Sequence, residues 1–114
     1  MTTATPTAPA SALDAYQMVD ADEVRAFLAA HPFMEPLLVE VAEQLPKYFP
    51  GAPLRLEVGY DPEGYGPPEL LLEAIVPGWT GDAAQDALDE FADKWWLDHY
   101  DRGQNLLTIT VAFG

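Results

Sequence analysis

The stretch Leu54-Arg-Leu-Glu-Val-Gly-Tyr60 alternates apolar and other residues along its whole length, and it decides the fold class. Successive side chains of a β-strand point to opposite faces of a sheet, so a period of two predicts a strand over residues 54–60. Arg55 and Glu57 then lie on the outer face. The residues expected on the buried face are Leu54, Leu56, Val58 and Tyr60.

Two later stretches, residues 70–76 and 107–113, show the same alternation and predict two more strands. In the first of them the polar Glu73 marks the outer face, which leaves Leu71 and Ile75 on that face as well. The residues expected to point inward are Leu70, Leu72, Ala74 and Val76 in the first, and Leu107, Ile109, Val111 and Phe113 in the second.

Two short helices are predicted ahead of the first strand. Asp20 and Glu23 have the spacing of a capping box, which predicts a helix that runs to about Ala30. A second helix begins at Glu35-Pro36, because proline is tolerated in the first turn, and its apolar stripe ends at Leu45.

A third helix is predicted from Asp82, as its N-cap, to about Tyr100, with Gly103 as the stop. One face of this helix is apolar, and the opposite face carries five carboxylates. These acidic residues are Asp82, Asp86, Asp89, Glu90 and Asp93. Carboxylates four residues apart repel each other by about 0.2–0.5 kcal/mol, so helix stability does not explain all of them.

Large apolar side chains follow the carboxylates at the end of this helix, namely Trp96, Leu97 and Tyr100. Tryptophan and tyrosine are enriched among the residues that dominate binding energy at protein interfaces. The sequence therefore predicts a partner-binding surface made of the five carboxylates and these three residues. The alternative is that the first two helices, or the loop around Trp79, pack over this end.

The element order ααββαβ predicts an α+β two-layer sandwich. The first two strands are joined by an eight-residue turn-rich loop over residues 61–68, so they should pair antiparallel. The simplest sheet is three-stranded and fully antiparallel, with the first strand in the middle (order 2-1-3) and the helices on one face. A length of 114 residues is enough for one domain. We expect a disordered Ala/Thr/Pro tail over residues 1–15 and a single domain over residues 16–114.

The charge balance excludes several function classes. There are 5 basic and 19 acidic residues, a formal net charge of −14, so direct binding to nucleic acid or to an anionic membrane is not expected.

Without cysteine the chain has no disulfides and no thiolate chemistry. No apolar run approaches the length of a membrane span, and the N-terminus lacks the features of a secretory signal, so the predicted location is the cytoplasm.

The residues that carry catalysis in other proteins are sparse here. The helical carboxylates share one open face, whereas Mg²⁺ or Ca²⁺ needs about six oxygen ligands in a closed shell. His31 is expected to contact the last carbonyls of its helix, and His99 to lie on an apolar face. The one serine, Ser11, falls in the predicted tail. We therefore expect no enzyme, no cofactor and no metal site.

From Tyr48 onward the chain resembles a group of small acidic bacterial proteins known mainly as hypothetical proteins. The resemblance covers residues 48–113 and includes Phe49-Pro50, Leu54-Arg-Leu-Glu-Val58 and Lys94-Trp95-Trp96-Leu97. Its remaining pieces are Asp61-Pro62-Glu63, Leu88-Asp89-Glu90-Phe91 and the alternating terminal strand. The resemblance implies a bacterial domain with this element order and implies no activity or ligand.

Together these observations predict a non-enzymatic acidic module that binds a basic protein, as an inhibitor, an antitoxin-like protein or a nucleic-acid mimic. Complementary charge would speed the association and make it sensitive to salt. The alternative is a self-associating structural protein whose acidity serves only solubility. A homodimer would then form through the outer face of the sheet or through an edge strand, since residues 106–113 are uncharged.

Overall fold

The computed structural model describes residues 15–60, 63–64, 66–104 and 106–113. Of the predicted tail only Ala15 belongs to this part of the chain, where it is an exposed turn residue, and the rest lies outside the described residues. Four strands and three main helices form here. In chain order they are β1 (Tyr16–Met18), α1 (Ala21–Ala30), α2 (Met34–Gln44), β2 (Leu54–Gly59), β3 (Glu69–Ile75), α3 (Gly81–Phe91) and β4 (Leu107–Ala112).

The sheet is mixed and has the order β1-β2-β3-β4. β2 and β3 are antiparallel, as their short connection predicts, whereas β1 pairs parallel to β2 and β4 pairs parallel to β3. The α+β class is confirmed, but the predicted three-stranded antiparallel sheet of order 2-1-3 is wrong. The connection through α3 is long enough to bring the chain back in the same direction, which is what a parallel pair requires.

The strand that sequence patterning missed is β1, because three residues are too few to show a period. Tyr16 is nevertheless buried, and its hydroxyl donates a hydrogen bond of 2.6 Å to the carbonyl oxygen of Leu38 in α2. Burial raises the pKa of Tyr16 above the usual range of a tyrosine. This residue therefore joins the first strand to the second helix.

The predicted inward face of the sheet is mostly correct. Every inward residue named for 54–58 and 70–76 is buried, as is Leu107. Tyr60 is an exception, since β2 ends at Gly59 and 60% of Tyr60 is exposed, with its hydroxyl donating to the Glu23 carboxylate. Phe113, beyond the end of β4, is also exposed.

The two short helices match their predicted positions. Asp20 is the N-cap of α1, and its carboxylate accepts a hydrogen bond from the Glu23 backbone N–H at 3.4 Å. The apolar stripe of α2 is buried and continues through Leu45, where a 3₁₀ turn over Leu45–Lys47 accommodates Pro46. Helix and strand side chains share one hydrophobic core, against the inward face of the sheet.

Candidate protein-interaction surface

The N-cap of α3 lies two residues before the predicted one. Thr80 is the N-cap, because its hydroxyl oxygen accepts a hydrogen bond of 3.1 Å from the Ala83 backbone N–H. Asp82 was predicted in this role and lies instead in the first helical turn. Its negative charge is favourable there because it faces the positive end of the helix dipole.

The five carboxylates of α3 and the turn after it are all exposed to solvent. Within the described residues, none of them makes a salt bridge, and the one hydrogen bond to the group is that of the Gln85 amide to Asp89 at 2.8 Å. The buried side of the same helix carries Ala84 and Phe91. The predicted division into an apolar and an acidic face is therefore present.

A π-helical turn over Ala92–Trp96 follows α3 directly. The Leu97 backbone N–H bonds to the carbonyl oxygen of Ala92, five residues back, which widens the turn. The helical path then continues through Leu97–His99 and a 3₁₀ turn over Tyr100–Gly103. A wider turn changes the faces to which the following side chains point, and π turns of this kind often occur at functional sites.

The aromatic side chains of this segment form a stack. The Trp95 ring lies 5.8 Å from that of Phe91 and 4.2 Å from the imidazole of His99, measured between ring centroids. The His99 Nδ1 atom is 2.7 Å from the Trp95 carbonyl oxygen. His99 is therefore a half-buried, hydrogen-bonded part of the packing, in agreement with its predicted place on the apolar face.

The three predicted apolar anchors differ in exposure. Leu97 and Tyr100 are 58% and 48% exposed, whereas Trp96 is half-buried. Trp96 is held between Trp95, at 6.2 Å, and Tyr100, which meets it edge-on at 6.4 Å. Of the two alternative covers, the second helix does approach this end, since Arg102 pairs with Glu40 of α2 and Trp96 packs against the core. The Trp79 ring lies 5.5 Å from that of Phe49.

An ion pair that the sequence did not suggest fastens the end of this segment to α2. The Arg102 guanidinium donates a hydrogen bond of 2.6 Å to the Glu40 carboxylate. This bond lowers the pKa of Glu40 and raises the pKa of Arg102. Because Arg102 is engaged, its positive charge does not offset the carboxylates that precede it.

Glu40 also lines an open groove of about 580 Å³ along the outer side of α2. Its other lining residues are Pro32, Glu35, Pro36 and Val39. The spacing of three and four residues places them on one helical stripe, which is the signal of this groove in the sequence.

In the part of the chain that the structure describes, the carboxylates are not arranged as a metal centre. Among the described residues, no group of three or more potential ligands comes together. His31 contacts a carbonyl group at the end of its helix, as predicted, with its Nδ1 atom 2.9 Å from the carbonyl oxygen of Phe27.

No helix in the described part of the chain has the length and apolar character to cross a bilayer.

The eight predicted partner-binding residues thus follow one another along a single helical segment. Comparison with known proteins gives no match to a family model, to a curated protein or to a solved structure. The resemblance of residues 48–113 to small acidic bacterial proteins therefore stays a prediction.

Proposed function

We propose that this protein is a non-enzymatic acidic interaction module that binds a basic protein through α3 and the aromatic turn after it. The observation that carries the proposal is the row of five exposed carboxylates without a cationic partner among the described residues. We call these five residues, together with Trp96, Leu97 and Tyr100, the interaction surface.

The electrostatic part of the argument is the uncompensated repulsion within the helix. Asp86 and Glu90 are four residues apart, as are Asp89 and Asp93, and such like-charged pairs destabilise a helix. The one cation in residues 82–101 is Lys94. A basic partner would remove this repulsion on binding, and its attraction would raise the association rate at low salt.

The apolar part of the argument is the position of the anchors. Leu97 and Tyr100 are exposed four and seven residues after Asp93, the last of the five carboxylates, and Trp96 is fixed by its ring contacts. A side chain that is already ordered loses little conformational entropy when a partner covers it. The arrangement combines apolar anchors at one end with a charged surface beside them, the two kinds of contact that protein interfaces use. An inhibitor, an antitoxin-like protein and a nucleic-acid mimic would all use such a surface.

The test compares two variants with equal net charge. The surface variant carries Asp86→Lys, Glu90→Lys and Asp93→Lys, and the control carries Asp22→Lys and Glu43→Lys on α1 and α2 and Glu57→Lys on β2. Three reversals of two charges each bring both variants from −14 to −8.

Wild type and variants are immobilised and exposed to lysate of the source organism at low and high salt, and retained proteins are quantified by mass spectrometry. We expect one basic protein to be held by wild type and control at low salt, released at high salt, and absent from the surface variant. The purified partner should bind Leu97→Ala/Tyr100→Ala at least tenfold more weakly. Equal retention of the partner by the surface variant would overturn the proposal, because these residues would then not form the binding site. Equal loss of the partner by the control would also overturn it, because the general acidity of the protein would then explain the binding.

A further inference from the structure

One edge of the strand β4 has no strand partner among the described residues, and we call it the open edge. The strand lies at the end of the sheet and pairs with β3 alone among the described residues. The Leu70 N–H bonds to the Leu106 carbonyl oxygen at 2.7 Å, and the Val76 N–H bonds to that of Ala112 at 2.8 Å. Even-numbered residues of β4 therefore direct their backbone groups toward β3.

Because the backbone alternates, the odd-numbered residues direct theirs away from the sheet. The N–H and C=O groups of Leu107, Ile109 and Val111 thus form a row along the open edge. Exposed edges of natural sheets are usually protected by lysine, proline, bulges or short length. Residues 106–113 contain no charge and no proline, whereas the opposite edge strand, β1, is protected by its length of three residues.

The sequence of this edge is nearly symmetric about Ile109. Thr108 and Thr110 flank it, and Leu107 and Val111 follow on either side. An antiparallel strand that is centred on Ile109 and carries the same sequence would place threonine against threonine and leucine against valine. Threonine pairs are favourable across strands, and the Thr108 hydroxyl, which donates to the Glu69 carboxylate, can still accept a hydrogen bond. The leucine–valine pair places two apolar side chains against each other. A second copy of this chain supplies that strand.

We propose that β4 pairs antiparallel with β4 of a second copy, with Ile109 opposite Ile109, and that the two sheets join into one of eight strands. The pairing satisfies the backbone groups of the open edge. Ile109 and Val111 point to the helix side of the sheet and are half-buried, so the second copy would cover their exposed parts. The proposal is independent of the basic-partner function, since β4 contains none of that surface.

Charge determines the conditions under which the dimer forms. Each copy carries −14, so two copies repel each other over long distances. β4 itself is uncharged, but the Glu69 carboxylate, which accepts a hydrogen bond from the Thr108 hydroxyl, adds a negative charge beside the contact. Salt screens such repulsion, with a Debye length of about 10 Å at 0.1 M. Self-association should therefore strengthen as salt rises, whereas binding of a basic partner should weaken. The opposite salt dependence separates this proposal from the proposed function.

The test is the molar mass of the full chain by gel filtration with light scattering, at low and high salt over a range of concentrations. The wild type should approach twice 12.5 kDa at high salt. Thr110→Lys places a charge beside the open edge and should give the monomer mass. Gln17→Lys places the same charge on the opposite edge strand and should remain dimeric.

A second variant tests the backbone bonds directly. Ile109→Pro removes an N–H that points away from β3, a position where an edge strand tolerates proline, so the sheet itself should persist by circular dichroism. It should be monomeric, and the wild-type amides of Ile109 and Val111 should exchange more slowly with solvent as concentration rises. A wild type that stays monomeric at every salt and concentration, or a Thr110→Lys variant that dimerises like wild type, would overturn the proposal.

Discussion

Arg55 and Glu73 face each other across β2 and β3, and the guanidinium holds one carboxylate oxygen with two nitrogens. Nε is 2.9 Å and Nη2 is 2.6 Å from Oε1 of Glu73. The pair lies on the outer face of the sheet, where both side chains are partly buried. Since the two residues are direct partners in the register, the pair stabilises the antiparallel alignment of these strands.

We expect Glu73→Ala to lower the free energy of unfolding by about 1 kcal/mol, because it removes a hydrogen-bonded partner from a partly buried arginine. The control is Glu57→Ala on the same face, where the carboxylate has no cationic partner within the described residues. That change should stay within about 0.5 kcal/mol. Urea denaturation measures both, and equal losses would show that the pair contributes nothing specific.

Tyr16→Phe should lower the free energy of unfolding by about 1 kcal/mol, because it removes the hydrogen bond to the Leu38 carbonyl. The control is Tyr48→Phe, whose hydroxyl makes no hydrogen bond to the described residues. Urea midpoints near neutral pH compare the variants. No loss in Tyr16→Phe would mean that β1 is not fixed by this bond.

The raised pKa of Tyr16 makes the free energy of unfolding depend on pH. Burial raises the folded-state pKa of Tyr16, so the folded state keeps the proton more strongly than the unfolded state. Its contribution to stability is complete below the unfolded pKa of about 10 and declines as the pH rises above that value. Wild type should therefore lose more stability than Tyr16→Phe between neutral pH and strongly alkaline pH. An equal loss of unfolding free energy with rising pH in wild type and Tyr16→Phe would contradict the expectation.

Arg102→Gln should raise the pKa of Glu40 toward its ordinary value, because the hydrogen bond that lowers it is lost. A carboxyl with a lowered folded pKa stabilises the protein above its unfolded pKa, and this contribution disappears as the pH falls through the folded value. Both side chains are about two-fifths exposed, so the loss at neutral pH should be below about 1 kcal/mol. NMR titration of Glu40 measures the shift, and an unchanged pKa would contradict it.

Gln104 adopts the left-handed conformation, with φ at 51°, directly after the last helical turn. Gly103 was predicted to stop the helix, but it is the last residue of that turn. We expect Gln104→Gly to stabilise the protein by about 0.5–1 kcal/mol, because a side chain is strained at this φ and glycine is not. The control Ala83→Gly, in ordinary helical conformation, should destabilise it by about 1 kcal/mol. Thermal unfolding compares the two, and a loss at both sites would contradict the argument.

Local patterns were sufficient to locate the principal elements. The alternation over 54–60 predicted β2 within one residue, because a strand with one buried face imposes its period on the sequence. Asp20 identified the start of α1, since capping involves neighbouring residues. The amphipathic pattern after Asp82 divided α3 into an acidic and an apolar side. Tyr60 was misplaced because alternation continues past the last residue that pairs.

The interaction surface was predictable only in outline. The carboxylates were readable because exposed positions of an amphipathic helix follow from its period. The exposure of Leu97 and Tyr100, and the half-burial of Trp96, depend on the π turn before them. No residue type specifies such a turn, and the packing of Trp95 against Phe91 and His99 accompanies it.

What the sequence alone determined is every main element except β1, and most of the side of each that is buried, because both depend on residues close together in the chain. The tertiary structure decided which strands pair with each other and which helices and turns they contact. The pairing of β4 with β3, the addition of β1 and the ion pair between Arg102 and Glu40 join residues far apart in the sequence. A strand's period specifies its buried face and leaves its partner open, so these contacts are chosen by the packing of the whole core.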